Sequence, residues 1–506
     1  MTATWGDIIV AFDGPCLLEI RIESGQWPGS NPHEIVSLVG ATQLPIKDAN
    51  MLMTTAHTPT HDVSATVNLA DVISALSYAL DITEGQPEGH AARSCLIAMR
   101  IAETIGLSVA DRSALFYGAL LKDAGCSSNA AKVCSLFAAD DRAIKQSFKT
   151  TDWTSKTESL KYLFRHAAPG RSPLGRATTI AALALNMSAG KELIQTRCSR
   201  GADIVRKLGF PSETIESIRA LDEHWDGRGE PLGLKGEQIP LLGRIVGLAQ
   251  TVEVYFSTYG LYPAIAMAEE RSGKWFDPDL VRALSTTCED TLFWSRLDDN
   301  DPRELLARFE PEETRLLVND DRLDDIAEGF ADVIDAKSPW TCRHSHGVAE
   351  AMVGILRVQG YDESEVRYWR LAALLHDIGK LGVSNLILDK PGKLTSEEFM
   401  AMRQHVDHSR RILRMVPCFS GFADMAAAHH EKLDGSGYSL GLTASELSPE
   451  ARVLCVADIF DALSANRPYR PRQLSLDEVL KIMGAEAGPK ICPIAFEALC
   501  THLQLG

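Results

Sequence analysis

Two stretches of the chain repeat one long pattern, and that repeat limits the fold more than any other feature. The segment EGHAARSCLIAMRIAETIGLSVADRSALFYGALLKDAG (88–125) resembles CRHSHGVAEAMVGILRVQGYDESEVRYWRLAALLHDIG (342–379), at an offset of 254 residues. Further on, LDEHWDGRGEPLGLKGEQIPLLGRIVGLAQTVEV (221–254) matches HHEKLDGSGYSLGLTASELSPEARVLCVADIFDA (429–462), at an offset of 208. The change from 254 to 208 places 46 additional residues between the two blocks of the first copy. Matches of this length imply two copies of one whole fold rather than the short stacked units of a solenoid.

The local patterns inside the repeat are helical. LAALLHDIG and DMAAAHHE are rich in Ala and Leu, and RIVGLAQTVEVYF and RVLCVADIFDAL carry apolar residues at helical spacing. Gly and Pro collect between them, as in DKPGKL and DGSGYSLGL. Thr395 followed by Glu398 predicts a capping box for a helix beginning near Ser396. Residues 1–65 differ: IIVAFDGPCLLEIRIES has room for one or two strands, and the remainder is turn-rich. The expected division is an N-terminal segment at 1–65, the first copy at 66–290, an acidic helical connector at 291–328 and the second copy at 329–506. The connector's charges (RLDDNDPRELLARFEPEETRLLVNDDRLDD) are read as a solvated helical face.

Chemistry concentrates in the second copy. His376-Asp377 and His429-His430 are adjacent doublets, and His344, His405 and Asp458 complete a set of candidate metal ligands. Imidazoles with carboxylates suit Fe, Mn or Zn, whereas Ca or Mg prefers all-oxygen cages. Two doublets point to two metal ions, with Asp377 placed to bridge them. His346 and His408 pair with nothing in the pattern and are read as structural; Tyr438 is read as a turn or packing aromatic unless the substrate pocket includes it.

The second copy resembles the HD-GYP domain, a branch of the HD superfamily of metal-dependent phosphohydrolases. The matching words are HDIGK (376–380), LDKPGKLT (388–395), HHEKLDGSGY (429–438), VADIFDAL (456–463) and RPYR (467–470), over about residues 330–485. The resemblance implies a mainly α fold: tandem HD-type helical domains with a degenerate N-terminal copy, behind a short mixed N-terminal segment. It implies metal ligation by His344, His376, Asp377, His405, His429, His430 and Asp458, and two divalent ions, Fe or Mn. It also implies that a hydroxide activated by both metals cleaves a cyclic dinucleotide, cyclic di-GMP above all, to linear pGpG. Asp377 and Lys380 would be the catalytic residues, and Lys380, Arg467 and Arg470 would meet the substrate phosphates. Two departures stand out. The GYP word reads Gly437-Tyr438-Ser439, and Trp340 occupies the position of the glutamate found in three-metal members.

By the same alignment the first copy lacks the ligands. It keeps His90 and Asp123, but His376 becomes Lys122, His405 becomes Arg197, His429-His430 becomes Leu221-Asp222, and Asp458 becomes Gln250. Protonated Lys and Arg do not ligate metals. His90, His166 and His224 are therefore expected to be structural. Lys122 either neutralises the emptied site or contacts an anion. Residues 126–175 carry no assignable chemistry. This copy is expected to pack against the second or to form a homodimer surface, and a sensory role is also open to it.

Composition narrows the partners. A net charge of −17 repels a nucleic-acid polymer, while a metal pocket still attracts a small anion. No apolar run reaches the roughly 18 residues of a membrane span, the N-terminus lacks a signal-peptide pattern, and the eleven cysteines show no CxxC pair. The expectation is a cytoplasmic protein. Three functions fit: a cyclic-dinucleotide phosphodiesterase, an HD-type phosphohydrolase for another nucleotide phosphoester, and a cyclic-dinucleotide receptor.

Overall fold

Side-chain caps set where many of the helices start. In a computed structural model, described for residues 8–11, 17–20, 67–151, 155–186, 188–297, 302–311, 317–465 and 472–505, the Asn68 side chain accepts from Ala70 N at the head of helix Leu69–Thr83. Ser108 does the same for Val109–Leu120, and Asp362 with Glu365 forms a capping box for Glu363–Leu375. The box expected at Thr395 is formed: Thr395 Oγ1 accepts from Glu398 N at 3.3 Å and Glu398 Oε2 accepts from Thr395 N at 2.7 Å. Each such bond satisfies a backbone donor that the helix itself leaves free.

The repeat is visible helix by helix. Leu69–Thr83, His90–Ile105, Val109–Leu120, Ser188–Lys207 and Leu241–Tyr259 correspond to Asp320–Asp335, His344–Val358, Glu363–Leu375, Ser396–Met415 and Pro449–Ser464. In both copies the helix opened by the first histidine packs on the last helix of its set. The fold is mainly α, as expected. A short antiparallel pairing of Val67–Asn68 with Leu317–Val318 joins the starts of the two copies. Helix Asp320–Asp335 runs through residue 328 without a break. It buries Leu323, Ile326 and Phe330 while Asp320, Asp321 and Asp325 stay exposed, so its acidic side is a solvated face.

The additional residues of the first copy fold into helices Ala130–Phe137, Asp141–Phe148, Lys156–His166 and Pro173–Leu185. Val133, Phe137, Ile144, Tyr162 and Leu193 form a small apolar core there. This subdomain also grips the second copy. Asp141 Oδ2 accepts from the buried Lys337 Nζ at 2.9 Å, Asp141 Oδ1 accepts from Asn385 N at 2.9 Å, and Arg142 donates to Gly382 O. Strands Ile8–Ala11 and Leu17–Ile20 pair into a two-stranded sheet, where the sequence left room for strands. Among the described residues no helix is long and apolar enough to cross a membrane, and no disulfide joins the cysteines.

Candidate metal centre

The site is assembled at the end of helix Glu363–Leu375, which is followed at once by His376 and Asp377. The chain then tightens into a 3₁₀ turn, Ile378–Gly382. Gly379 is required there. A Cβ at this position would overlap His405 O and Ser409 N, so only glycine lets helix Ser396–Met415 come close enough to bring His405 to Asp377. His344 opens its helix, whose first turn is tied down by Asp335 Oδ1 accepting from Ser345 N at 3.1 Å and Ser345 Oγ at 2.7 Å.

All seven expected ligands converge. Asp377, His405, His429 and His430 offer one atom each within 4.8 Å of one another, and His344, His376 and Asp458 form a second such group. Asp377 lies between them. Its Oδ1 is 3.5 Å from both His405 Nε2 and His429 Nε2, while its Oδ2 is 3.1 Å from His376 Nε2 and 3.5 Å from His344 Nε2. Asp458 reaches His344 Nε2 at 3.3 Å and His430 Nδ1 at 3.6 Å. Lys380 is buried with Nζ 2.6 Å from Asp377 Oδ2. Arg467 and Arg470 lie outside the described residues.

These residues fit divalent cations. Nε2 of His344, His376, His405, His429 and His430 and both Asp377 oxygens are buried without a properly aligned hydrogen bond. So many desolvated lone pairs are costly unless a cation takes them. The other ring nitrogens are held: Nδ1 of His376, His405 and His429 donate to the carbonyls of Ala373, Met402 and Ala426 at 2.7, 2.6 and 2.6 Å. That fixes each tautomer so that Nε2 is the free donor atom. Burial pushes His405 down to about 3, so its imidazole is neutral. Burial alone would raise Asp377, but the charges of His376 and Lys380 hold it well below the usual carboxylate range. A neutral imidazole at His405 beside the ionised Asp377 carboxylate is a pairing that binds metal.

Several supporting residues escaped the sequence reading. Asp461 Oδ2 sits 2.6 Å from His344 Nδ1 and orients that ring. Glu431, 1% exposed, accepts from Leu440 N at 2.6 Å and Leu442 N at 3.0 Å, cradling the turn after the double histidine. Tyr438, read as a packing aromatic, is buried with its ring 4.7 Å from that of His430, so it also supports the cluster. The repeat itself held a signal for two of them: Glu223 aligns with Glu431, and Glu253 with Asp461. Replacing Asp461 with Ala is expected to weaken metal binding by about 10- to 100-fold while leaving the fold intact, checked by chelator competition. Wild-type affinity in that variant would show that Asp461 does not orient His344.

The first copy has kept this scaffold and carries cations, Lys122 and Arg197, at two of the ligand positions. Glu223 accepts from Leu232 N at 2.6 Å and Leu234 N at 2.9 Å, as Glu431 does in its own turn. His90 Nδ1 meets Glu253, as His344 meets Asp461. Lys122, buried at 1% exposure, pairs with Asp123 and so neutralises the emptied site. Lys149, from the inserted subdomain, lies 3.3 Å from Asp123 Oδ1 and 3.4 Å from Glu84 Oε2. Arg197 pairs with Asp222. Glu84, Asp123 and Cys126 are close enough to suggest a metal, but the ammonium groups of Lys122, Lys145 and Lys149 already compensate these carboxylates. His166 lies against Tyr162 and His224 stacks on Trp275, both packing roles.

His90 gives this copy a pH dependence. Burial, helped by the charges of Lys122 and Lys149 and opposed by Glu253, pushes His90 down to about 4. An unfolded histidine titrates near about 6.5. Below that value the unfolded chain binds the proton and the folded chain does not, so the His90 contribution to stability falls as the pH drops from about 6.5 to about 4. The expected contribution of His90 is about 3 kcal/mol, read as the difference between wild type and a His90→Gln variant in how urea unfolding midpoints change across that range, because Asp81, raised by burial to about 7, acts in the opposite sense. The variant should lack that part of the slope, and an unchanged slope would count against this account.

Comparison with known proteins bears on the whole chain. The HD domain family matches residues 180–280 and 328–493, more than half of the sequence. The 3′3′-cGAMP-specific phosphodiesterase 3 of Vibrio cholerae is 42% identical over 441 residues, which span 87% of this chain and 95% of that protein. A cyclic di-GMP phosphodiesterase of Pseudomonas aeruginosa is 40% identical over 132 residues, 26% of this chain and 32% of that protein. The crystal structure of a cyclic GMP-AMP specific phosphodiesterase of V. cholerae matches with a TM-score of 0.60 and 38% identity, covering 87% of this chain and 99% of that one. Family, length and fold agree: this chain belongs to the HD domain family, and divalent metal binding comes with that membership.

Proposed function

We propose that the second copy is a metal-dependent phosphodiesterase that opens a cyclic dinucleotide to its linear form. The observation that carries this reading is the position of Asp377, with one oxygen toward the His405/His429 group and the other toward the His344/His376 group. A carboxylate so placed would help to hold one cation in each group, with His430 in the first group and Asp458 in the second. Two divalent ions, iron or manganese, would supply there an acidified water and stabilisation of charge on the phosphoryl oxygens. The protein's own residues do the rest. The Nδ1 hydrogen bonds hold the imidazoles in place. Lys380 adds a point positive charge beside Asp377 for the scissile phosphate. Arg467 and Arg470 meet the remaining phosphate charge. A cytoplasmic location suits such a substrate.

Coverage supports one substrate over the other. The relative that spans 95% of its own length with this chain is named for 3′3′-cGAMP. The cyclic di-GMP relatives of P. aeruginosa and Thermotoga maritima share only 26% and 30% of this chain. We therefore place 3′3′-cGAMP ahead of cyclic di-GMP, the substrate that the sequence resemblance implied. The test is anaerobic turnover of both compounds by protein loaded with Fe(II) or Mn(II), following the linear product. Faster cleavage of 3′3′-cGAMP is the expected result. Tight binding of either without cleavage would replace the enzyme with a receptor, and inertness toward both would redirect the site to another nucleotide phosphoester.

A further inference from the structure

The first copy contains a cavity of about 530 Å³, within the size range of small-molecule sites. Arg197, Leu221, Asp222 and Gln250 line it, and these align with His405, His429, His430 and Asp458. The cavity thus opens at the counterparts of four of the seven candidate ligands, while His90, Lys122 and Asp123 do not line it.

Its chemistry favours one kind of molecule. Trp225 and Trp275 line it, with His224 stacked on Trp275 at 4.3 Å, a surface suited to a planar ring. Gln250 and Asn129 are 6% and 7% exposed, and Gln250 Oε1 and Asn129 Oδ1 have no hydrogen-bond partner. Both are acceptors of the kind that reads amino and ring N–H groups. The Nε donors of Arg197 and Arg244 are equally unpartnered and suit phosphate oxygens. Lining cations outnumber lining carboxylates by one, which suits a ligand of one or two negative charges rather than a triphosphate.

The cavity is also connected to the second copy. Ile144, Lys145 and Phe148 of helix Asp141–Phe148 line it. At the other end of this two-turn helix, Asp141 holds Asn385 N and Lys337, and Arg142 holds Gly382 O, two residues after Lys380. A ligand that moves the helix therefore moves the anchor of the Lys380 turn, which is a physical route for coupling two sites.

We propose that the first copy is a binding site for a purine nucleotide of low charge, and that its occupancy sets turnover in the second copy through helix Asp141–Phe148. The turnover half rests on the phosphodiesterase reading above; the binding half does not. The experiment uses the full chain and calorimetric titration with GMP and AMP, with ribose 5-phosphate and ATP as controls. Two variants probe the cavity. Gln250→Leu removes an orphan carbonyl without changing the volume much. Gly190→Trp places a large ring at the cavity lining from a position whose Cβ meets nothing within 4 Å.

The expected result is saturable binding of GMP or AMP, at least tenfold weaker in both variants, with ribose 5-phosphate and ATP binding at least tenfold more weakly than the better monophosphate. Saturating nucleotide should change 3′3′-cGAMP turnover at least twofold, and Arg142→Ala should abolish that response while binding persists. Failure of both monophosphates to bind, or wild-type affinity in both variants, overturns the site. Binding with no change in turnover overturns the coupling. A chain that binds nucleotide in the cavity yet cleaves no substrate under any condition leaves the site standing and defeats the phosphodiesterase reading instead.

Discussion

Asp377→Ala is expected to abolish metal loading and to lower turnover by more than about 10³-fold, because on the proposed function this carboxylate would serve both cations. Its two oxygens lie 3.1 to 3.5 Å from four imidazole nitrogens on four separate segments. Removing it leaves those nitrogens facing one another with no anion between them. It also leaves Lys380 Nζ without the carboxylate 2.6 Å away, in a position that is 2% exposed. The variant should therefore lose metal first and activity as a consequence. Metal content by elemental analysis, and turnover measured on the same preparation, check both halves. A variant that keeps two metals and near-normal turnover would remove Asp377 from the bridging position and the proposed mechanism with it.

Gly379→Ala is expected to be the most damaging single-methyl change in the second copy. The added Cβ would overlap two backbone atoms, His405 O and Ser409 N, and backbone cannot rotate away as a side chain can. Helix Ser396–Met415 would have to retreat, carrying His405 from Asp377. Overpacking of this kind costs about 3 kcal/mol or more, and the metal site should loosen together with the fold. The matching change in the first copy, Gly125→Ala, meets Arg197 O and Gly201 N. It should destabilise to a similar degree with no effect on metal content. Thermal unfolding of both variants, with metal analysis of each, distinguishes a packing requirement from a chemical one. A Gly379→Ala variant as stable as wild type would show that the helices do not depend on this close approach.

The comparison of the two copies explains which residues a fold of this kind preserves when the chemistry is gone. Asp335, Glu431 and Gly379 have counterparts in Asp81, Glu223 and Gly125, and Asp461 is matched by the acidic Glu253. All of them hold backbone or orient a histidine. Asp81 accepts from Gly89 N and Ala91 N, the same helix-start contact that Asp335 makes with Ser345 N. The positions that changed to Lys, Arg, Leu or Gln are ligand positions. Within the first copy the lost metal charge is replaced by ammonium and guanidinium groups, which keeps the remaining buried carboxylates compensated.

Much of the site was legible in the residues alone. The seven candidate ligands fall in short words with fixed internal spacing, and the capping box at Thr395 needs only residues three apart. These are local relations, set by helical geometry within one or two turns. The partner of Lys122 lay in the same category, since Asp123 is its neighbour. The role of Glu431 was present as a residue kept in both copies, yet its purpose appears only when the turn folds over its carboxylate. Lys149 gave no sign of itself, because it comes from an insertion with no counterpart in the second copy.

The sequence by itself determined the repeat, the helical class, the candidate ligand set and the absence of most of that set from the first copy, since each depends on residue identity and short-range spacing. Only the tertiary structure decided that Asp377 stands between the two ligand groups, and that Lys149 fills the emptied site. The same is true of the grip of Asp141 and Arg142 on the Lys337–Asn385 region, made across separations of 196 to 244 residues. Contacts at that range are fixed by how closely packed helices approach one another, and within each copy a close approach is allowed by a glycine, Gly379 or Gly125, whose missing side chain no ligand motif would single out.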